Sequence, residues 1–252
     1  MRKEIVTGRP KLILRTPTPL SNCPGCHHTI AARAVSEVVA EMDMEGETIA
    51  IGGVGCASIG VLVMNVDFVM LAHGHPPDGA TAVKRIYPER LVYTVQGDGD
   101  CIAIGAGPLI NAAARAEKVT LIMLNNTNYG TTGGQMAPTS LMGQVTATSP
   151  SGREPSHGYP VHVPELLATM KGVAYCARGS VHTPARFQQT KKYLKTAFQK
   201  QMDGVGLSFV EVLSACPPDW HLKPIDCLNW IEEKVMAEYP LGEFKNVDRV
   251  ED

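Results

Sequence analysis

The sequence predicts an α/β fold: a single doubly wound, mostly parallel sheet. Three observations carry that expectation. Short apolar runs of strand length alternate with helical segments, and the runs are apolar on both faces, as strands covered by helices on each side must be. The chain has 252 residues, ample for one large core. Its 24 glycines and 18 prolines form no repeat, linker or low-complexity tract that would divide it. Two parts follow, an extended N-terminal arm over residues 1–20 and an α/β domain over 21–252.

The elements read in order. Pro10, Pro17 and Pro19 with Thr16 and Thr18 favour an extended path for the arm. Apolar residues at helical spacing predict a helix over Ile30–Met42. Asp43–Glu47 is a turn, and Thr48–Ile51, Phe68–Leu71, Leu91–Val95 and Val119–Leu124 are strands. A small-residue helix, Ile102–Ala116, joins the last two. Asn125–Gly158 is long and polar, the kind of loop that is functional or mobile. A strand over Val173–Ala177 leads into a helix over Pro184–Met202, with Thr183 or His182 as cap. Ser208–Leu213 is another strand and Asn229–Glu238 a final amphipathic helix.

Composition narrows the function classes. A net charge of -2 with 19% charged residues argues for no nucleic acid and no membrane surface as partner. The opening MRKEIVTGRP has no apolar region behind it, and Val61–Ala72 is too short to span a bilayer and is interrupted by Asn65 and Asp67. The expected location is cytoplasmic, where thiols stay reduced. Seven cysteines cannot pair without leaving one over, so they read as ligands, catalytic groups or core.

Gly97-Asp98-Gly99-Asp100 follows a strand directly, where open α/β sheets bind ligands. The glycines let backbone amides approach an anion, and the aspartates are hard oxygen donors suited to Mg²⁺. The next strand ends in Asn125-Asn126, with Asn126 28 residues beyond Asp98, the length of one helix-plus-strand unit. Two adjacent strand ends can thus bring a carboxylate, an amide oxygen and a backbone carbonyl around one cation.

Cys23-Pro24-Gly25-Cys26 is a CxxC on a Pro-Gly turn, compatible with redox, zinc-binding or plain structural roles. Cys56 in Gly52-Gly53-Val54-Gly55-Cys56 and Cys216 in Ser214-Ala215-Cys216-Pro217-Pro218 each follow a strand. Four thiolates can hold a [4Fe–4S] cluster or tetrahedral Zn²⁺, and spacing does not separate the two. Cys101, Cys176 and Cys227 carry no motif; the first two read as packing and Cys227 as a helix-start residue without special chemistry. His27 and His28 read as helix-start residues that could also tune a cluster or contact substrate. His157, His162, His182 and His221 have no clear partners, and Lys191, Lys192, Lys195 and Lys200 read as a solvated helix face.

Gly97-Asp98-Gly99 with Asn125-Asn126 resembles the thiamine diphosphate signature, and the run Asn128-Tyr129-Gly130-Thr131-Thr132-Gly133-Gly134-Gln135 resembles the β subunits of 2-oxoacid:ferredoxin oxidoreductases. The resemblance covers roughly residues 20–220. It implies a thiamine diphosphate-binding fold in which Asp98, the Asn126 side chain and the Asn128 carbonyl hold Mg²⁺. Gly97, Gly99, Asp100, Tyr129, Gly130 and Thr131 then lie near the diphosphate, with His73-Gly74 reaching it; where the family usually has Arg after that Gly, this chain has His75. Cys23, Cys26, Cys56 and Cys216 match the family's [4Fe–4S] ligands.

The same resemblance implies oxidative decarboxylation of a 2-oxo acid to acyl-CoA and CO₂, with coenzyme A as co-substrate and ferredoxin as electron acceptor. It implies an α subunit that supplies the catalytic Glu, a γ subunit and a ferredoxin-like δ subunit, and a lone chain that is inactive. Ile59 stands where family members acting on 2-oxoglutarate carry a basic residue. An apolar side chain cannot balance a buried carboxylate, which favours a branched-chain substrate of the 2-oxoisovalerate type. Alternatives are a pyruvate- or 2-oxoglutarate-specific member, a thiamine diphosphate lyase or synthase with structural zinc, and a non-catalytic assembly subunit.

Overall fold

The computed structural model describes residue 12 and residues 22–250. Apart from Leu12, whose carbonyl accepts a hydrogen bond from Asn65 N at 2.6 Å, the arm expected over residues 1–20 lies outside the described residues.

In chain order the elements are α1 (His28–Glu41), β1 (Thr48–Gly52), α2 (Cys56–Leu62), β2 (Asp67–Met70), α3 (Pro76–Ile86), β3 (Leu91–Gly97), α4 (Ala106–Ala114) and β4 (Thr120–Asn125). Then come a small hairpin, β5 (Asn128–Tyr129) and β6 (Gln135–Met136), α5 (Val163–Ala168), β7 (Val173–Ser180), α6 (Pro184–Met202) and β8 (Leu207–Leu213). Two short helices, α7 (Pro217–Trp220) and α8 (Pro224–Trp230), precede the last strand, β9 (Gly242–Asn246). The central sheet has seven strands in the order β2-β1-β3-β4-β8-β7-β9. Every neighbouring pair is parallel except β7 with β9. The chain leaves β1 toward β2 on one side and returns to β3 on the other, a switch point at which the carboxyl ends of β1 and β3 diverge to leave a crevice.

Apolar clusters cover both faces. One packs α1 and α6 against the sheet through Val35, Val38, Leu194 and Phe198. The other packs α4 and α5 through Leu109, Ala112, Val163 and Leu167. Strands β3, β4, β7 and β8 are accordingly buried on both faces, apart from half-buried Gly97 at the end of β3. The Thr183 hydroxyl caps α6 by accepting from Arg186 N at 3.3 Å, and Pro184 sits in its first turn as expected. Among the described residues, no helix is long and apolar enough to cross a membrane.

Several local expectations need correction. β2 is an edge strand with three of its four residues exposed, not a buried one. The helix after β3 is broken: residues 99–104 form a π-helical turn closed by Gly105 N to Asp100 O at 3.0 Å, a widening that recurs at functional sites. The last helical region starts at Pro224 rather than Asn229, and its Cys227 is buried in a third apolar cluster. Lys191 and Lys200 are not on a solvated face. Lys191 is 9% exposed and bonds Glu37 at 2.7 Å and Glu41 at 2.5 Å, while Lys200 reaches Val247 O and Asp248. The long loop, expected as functional or mobile, is internally bonded after Tyr129. The Arg153 guanidinium donates to the carbonyls of Ala137, Pro138, Ser140, Gly158 and Tyr159, tying residues 137–159 into one body.

Candidate active site

Strand register sets the positions first. Gly52 pairs with Val95, Gly97 with Leu124 and Asn125 with Leu213, so the loops after β3, β4 and β8 leave the sheet at nearly one level and the loop after β1 starts slightly below it. Above that level lies a cavity of about 130 Å³. Its wall contains His73, Gly97, Asp98, Gly99, Asp100, Asn126, Asn128, Tyr129, Gly130 and Thr131, which the sequence nominated together.

Asp98 is 1% exposed. Its Oδ1 accepts from Gly99 N at 3.0 Å and its Oδ2 from the Thr139 hydroxyl. Burial raises its carboxyl to about 7, against the hydrogen bonds that lower it. Asp100 holds a second set of groups. Its Oδ1 accepts from Gly74 N at 2.5 Å and meets His73 Nδ1, and its Oδ2 accepts from Gln96 Nε2 at 3.0 Å. The backbone bends closely around it: a Cβ on Gly53 would stand 2.0 Å from Asp100 Oδ2. A Cβ on Gly99 would stand 2.1 Å from the Tyr129 ring, whereas Gly97 has nothing within 4 Å of that position. The floor at Gly97 is therefore open, with room for an anion beside backbone amides. His75 does not join the site; it pairs with Asp78 at 2.8 Å on the exposed start of α3.

The asparagines face Asp98. The Asn126 side-chain oxygen lies 2.8 Å from the Asn128 carbonyl oxygen and 3.2 Å from Asp98 Oδ1, whereas the amide turned over would donate to both. With the amide oxygen turned inward, these three oxygens, one carrying charge, would form a donor set that fits a hard divalent cation. Thr127 between them has φ +58°, and the Asn126 carbonyl accepts from Trp220 Nε1 at 3.0 Å.

A second cavity, about 120 Å³, adjoins the first, and Cys23, Cys26, Cys56 and Cys216 all line it. His28, Cys56, Asn126 and Gly130 face both cavities. Among the described residues no three or more His, Cys, Asp or Glu side chains form a site for a single metal ion; a four-iron cluster spreads its thiolates more widely than one ion does. Cys56 Sγ lies 2.9 Å from Thr131 Oγ1, and Cys216 Sγ donates to Asp219 Oδ2 at 3.2 Å. Burial pushes the Cys26 thiol up to about 11 and the Cys216 thiol well up. His27 and His28 are buried and lowered to about 4 by that burial, and among the described residues neither His28 ring nitrogen has a hydrogen-bond partner. Ile59 lies on the cysteine side, in α2. A larger hollow of about 420 Å³ beside Trp230 and Lys234 contains none of this chemistry.

Residues 53–212 match the family described as thiamine pyrophosphate enzyme, C-terminal TPP binding domain. The chain is also 32% identical to the 2-oxoglutarate synthase subunit KorB of Archaeoglobus fulgidus, over 84% of this chain and 75% of that one. The chain belongs to the thiamine pyrophosphate-binding subunits of the 2-oxoacid:ferredoxin oxidoreductase family. Within that family it is 37% identical, over 91% of its length, to the ketoisovalerate oxidoreductase subunit VorA of Methanothermobacter thermautotrophicus. It spans about half (48%) of that relative. The fold is shared with a 2-oxoglutarate:ferredoxin oxidoreductase from Magnetococcus marinus, solved with 2-oxoglutarate, coenzyme A and succinyl-CoA bound. That match has a TM-score of 0.77 at 23% identity, covering 98% of this chain and 87% of that one.

Four contributors to the site were not nominated from sequence. Gln96 holds Asp100, Thr139 holds Asp98, Asp219 meets Cys216, and Trp220 holds the Asn126 carbonyl. Only Gln96 and Asp219 had a signal, their closeness in sequence to the Gly-Asp-Gly-Asp and Cys-Pro motifs.

Proposed function

We propose that this chain is the thiamine diphosphate-, Mg²⁺- and [4Fe–4S]-binding subunit of a 2-oxoacid:ferredoxin oxidoreductase that forms acyl-CoA and CO₂ and reduces ferredoxin. The observation that carries the reading is the shared wall: a cavity built for a cation and an anion abuts one lined by four cysteines. Asp98, Asn126 and Asn128 would hold Mg²⁺, and the amides around Gly97 and Gly99 with Asp100, Tyr129, Gly130 and Thr131 would face the diphosphate. His73 and Gly74 act through Asp100, which both bond. Cys23, Cys26, Cys56 and Cys216 would hold the cluster. Bound there, thiamine diphosphate supplies the nucleophile and electron sink for decarboxylation, and the cluster accepts electrons one at a time.

The chain's own residues do three things in this scheme. They fix the diphosphate end, they carry a cation whose charge offsets it, and they place the electron outlet beside it across Cys56 and His28. None of the described glutamates lines the diphosphate cavity, which supports an α subunit as the source of the acid that works on the cofactor; γ and ferredoxin-like δ subunits would complete a cytoplasmic assembly. Ile59 lines the cysteine cavity rather than the diphosphate one; from there it supports a branched-chain 2-oxo acid only in that it cannot balance a second carboxylate. The likeness to a ketoisovalerate enzyme subunit agrees with this choice.

Anaerobic purification of the reconstituted complex, followed by iron and sulfide analysis, tests the cluster; a colourless, zinc-containing protein would overturn it. In the same complex kcat/KM for 2-oxoisovalerate should exceed that for 2-oxoglutarate by about tenfold or more. A preference for 2-oxoglutarate or pyruvate would overturn the substrate reading. The chain alone should reduce no dye with any of the three.

A further inference from the structure

Beneath the asparagine loop, side chains from three adjacent strands run across the sheet out of reach of solvent. Arg178 on β7 and Glu211 on β8 pair directly in register, and both side chains are 0% exposed. Arg178 Nε donates to Glu211 Oε2 at 2.6 Å, and its two terminal nitrogens fork onto Glu165 at 2.8 and 2.7 Å. The remaining Glu211 oxygen accepts from Asn125 Nδ2 at 2.6 Å. Asn125, the last residue of β4, accepts in turn from Thr127 N at 3.0 Å through its Oδ1.

Thr127 is β-branched and left-handed, with φ +58°, a conformation such residues rarely adopt. All its polar atoms are tied. Its carbonyl accepts from Ser140 Oγ at 2.6 Å and Gln144 Nε2 at 3.2 Å, and its hydroxyl accepts from Gln144 Nε2 at 2.9 Å. This turn brings the Asn126 side-chain amide and the Asn128 carbonyl together beside Asp98. Its amide proton depends on which end of the Asn125 side chain faces it. A carboxylate offers acceptors only, so Glu211 takes the NH₂ end and leaves the oxygen for Thr127 N.

We propose that Glu211 is a positioning residue for the cation site: held by Arg178, it selects the amide orientation of Asn125, which fixes the turn at Thr127 and so the Asn126 and Asn128 oxygens. This rests on the reading of that site as one for Mg²⁺ and a diphosphate. It also accounts for an ion pair in the middle of a sheet, where desolvation makes charge expensive and hydrophobic packing would serve stability as well.

The test measures Mg²⁺-dependent thiamine diphosphate binding by calorimetry in the reconstituted complex, with thermal melting in the absence of metal alongside. Glu211→Gln should weaken binding about tenfold or more, because Gln can present its own NH₂ to Asn125. Asn125→Asp should do the same by setting two carboxylates face to face. In the double variant the carboxylate stands at position 125 and the amide at position 211, so an acceptor-only group again faces a donor. The pairing across the two strands is thereby restored, and binding should return to within about threefold of wild type. Unchanged binding in Glu211→Gln, or a double variant no better than the weaker single, would overturn the proposal. If Glu211→Gln fails to fold, Asn125→Asp against the double variant decides. A wild-type complex whose binding ignores Mg²⁺ would instead sink the cation site itself, and this inference with it.

Discussion

Around the first cavity, the two aspartates already have partners in the protein: Asp98 takes Gly99 and Thr139, Asp100 takes Gly74, His73 and Gln96, and beside them the Asn126 carbonyl takes Trp220. Across the shared wall, the cysteines are far less committed. Cys23 is exposed, Cys26 and Cys56 are partly so, and among the described residues Cys56 and Cys216 bond to other side chains, Thr131 and Asp219. Under the proposed function, the first cavity is preorganised and the second would be completed by the cluster it holds. The contrast suits the chemistry. Diphosphate recognition needs dipoles fixed before the ligand arrives, whereas thiolates acquire their charge only as metal displaces their protons.

If the two cavities are built so differently, they should fail separately. Cys26→Ser should remove nearly all iron and the visible absorbance of the purified complex, while Mg²⁺-dependent thiamine diphosphate binding changes by less than about threefold. Loss of both together would show that the two cavities are not independent. Thr139→Val should have the converse effect. It removes the hydroxyl that orients Asp98, so cofactor affinity by calorimetry should fall about tenfold, the usual size for a partner of a metal ligand, with iron content intact.

A subtler readout probes the thiols in cluster-free protein. Cys23 should be alkylated before Cys26 by iodoacetamide at neutral pH, as peptide mass spectrometry would show, because Cys23 is exposed. The Cys26 thiol is raised to about 11 by burial. Below that value its reactive thiolate fraction grows about tenfold per pH unit, and its alkylation rate should grow with it between about pH 7 and 9. A pH-independent rate would contradict a closed, uncharged wall.

The smallest expected effect is a control far from both cavities. Lys191→Met breaks the bonds to Glu37 and Glu41 and should cost about 1 kcal/mol, or roughly 2–4 °C in Tm. Both cofactor sites should be unaffected. Burial pulls the Lys191 pKa down, but the two carboxylates outweigh it and leave it raised. The stabilisation is therefore present at neutral pH and lost only as pH climbs through the raised value.

What could be read from sequence divides along a physical line. That Asp98, Asn126 and Asn128 would share one cavity and the four cysteines another was legible from their residue types at strand ends together with the family resemblance. Thr139 stands 41 residues from Asp98, and Trp220 stands 94 from Asn126; nothing local marks either, since only the fold brings them together. The parallel sheet was legible from its doubly apolar runs. The exposure of β2 was not, because an edge strand and a central one can share a composition. Strand β9 carries too few apolar residues to register. The lysines of α6 showed the limit of pattern reading: Lys191 and Lys200 look like solvent-facing residues until the acids of other segments are placed beside them.

The level register of β3, β4 and β8 has a further consequence for how this protein can change. A one-residue slip in a strand moves its end by about 3.3 Å and turns its side chains to the opposite face. In β4 it would separate Asn126 from Asp98, and in β8 it would withdraw Glu211 from Asn125 and Cys216 from its cavity together. Insertions should therefore be tolerated at the far, amino-terminal ends of these strands and in the exposed turns there. Within the strands themselves, length is not free to vary.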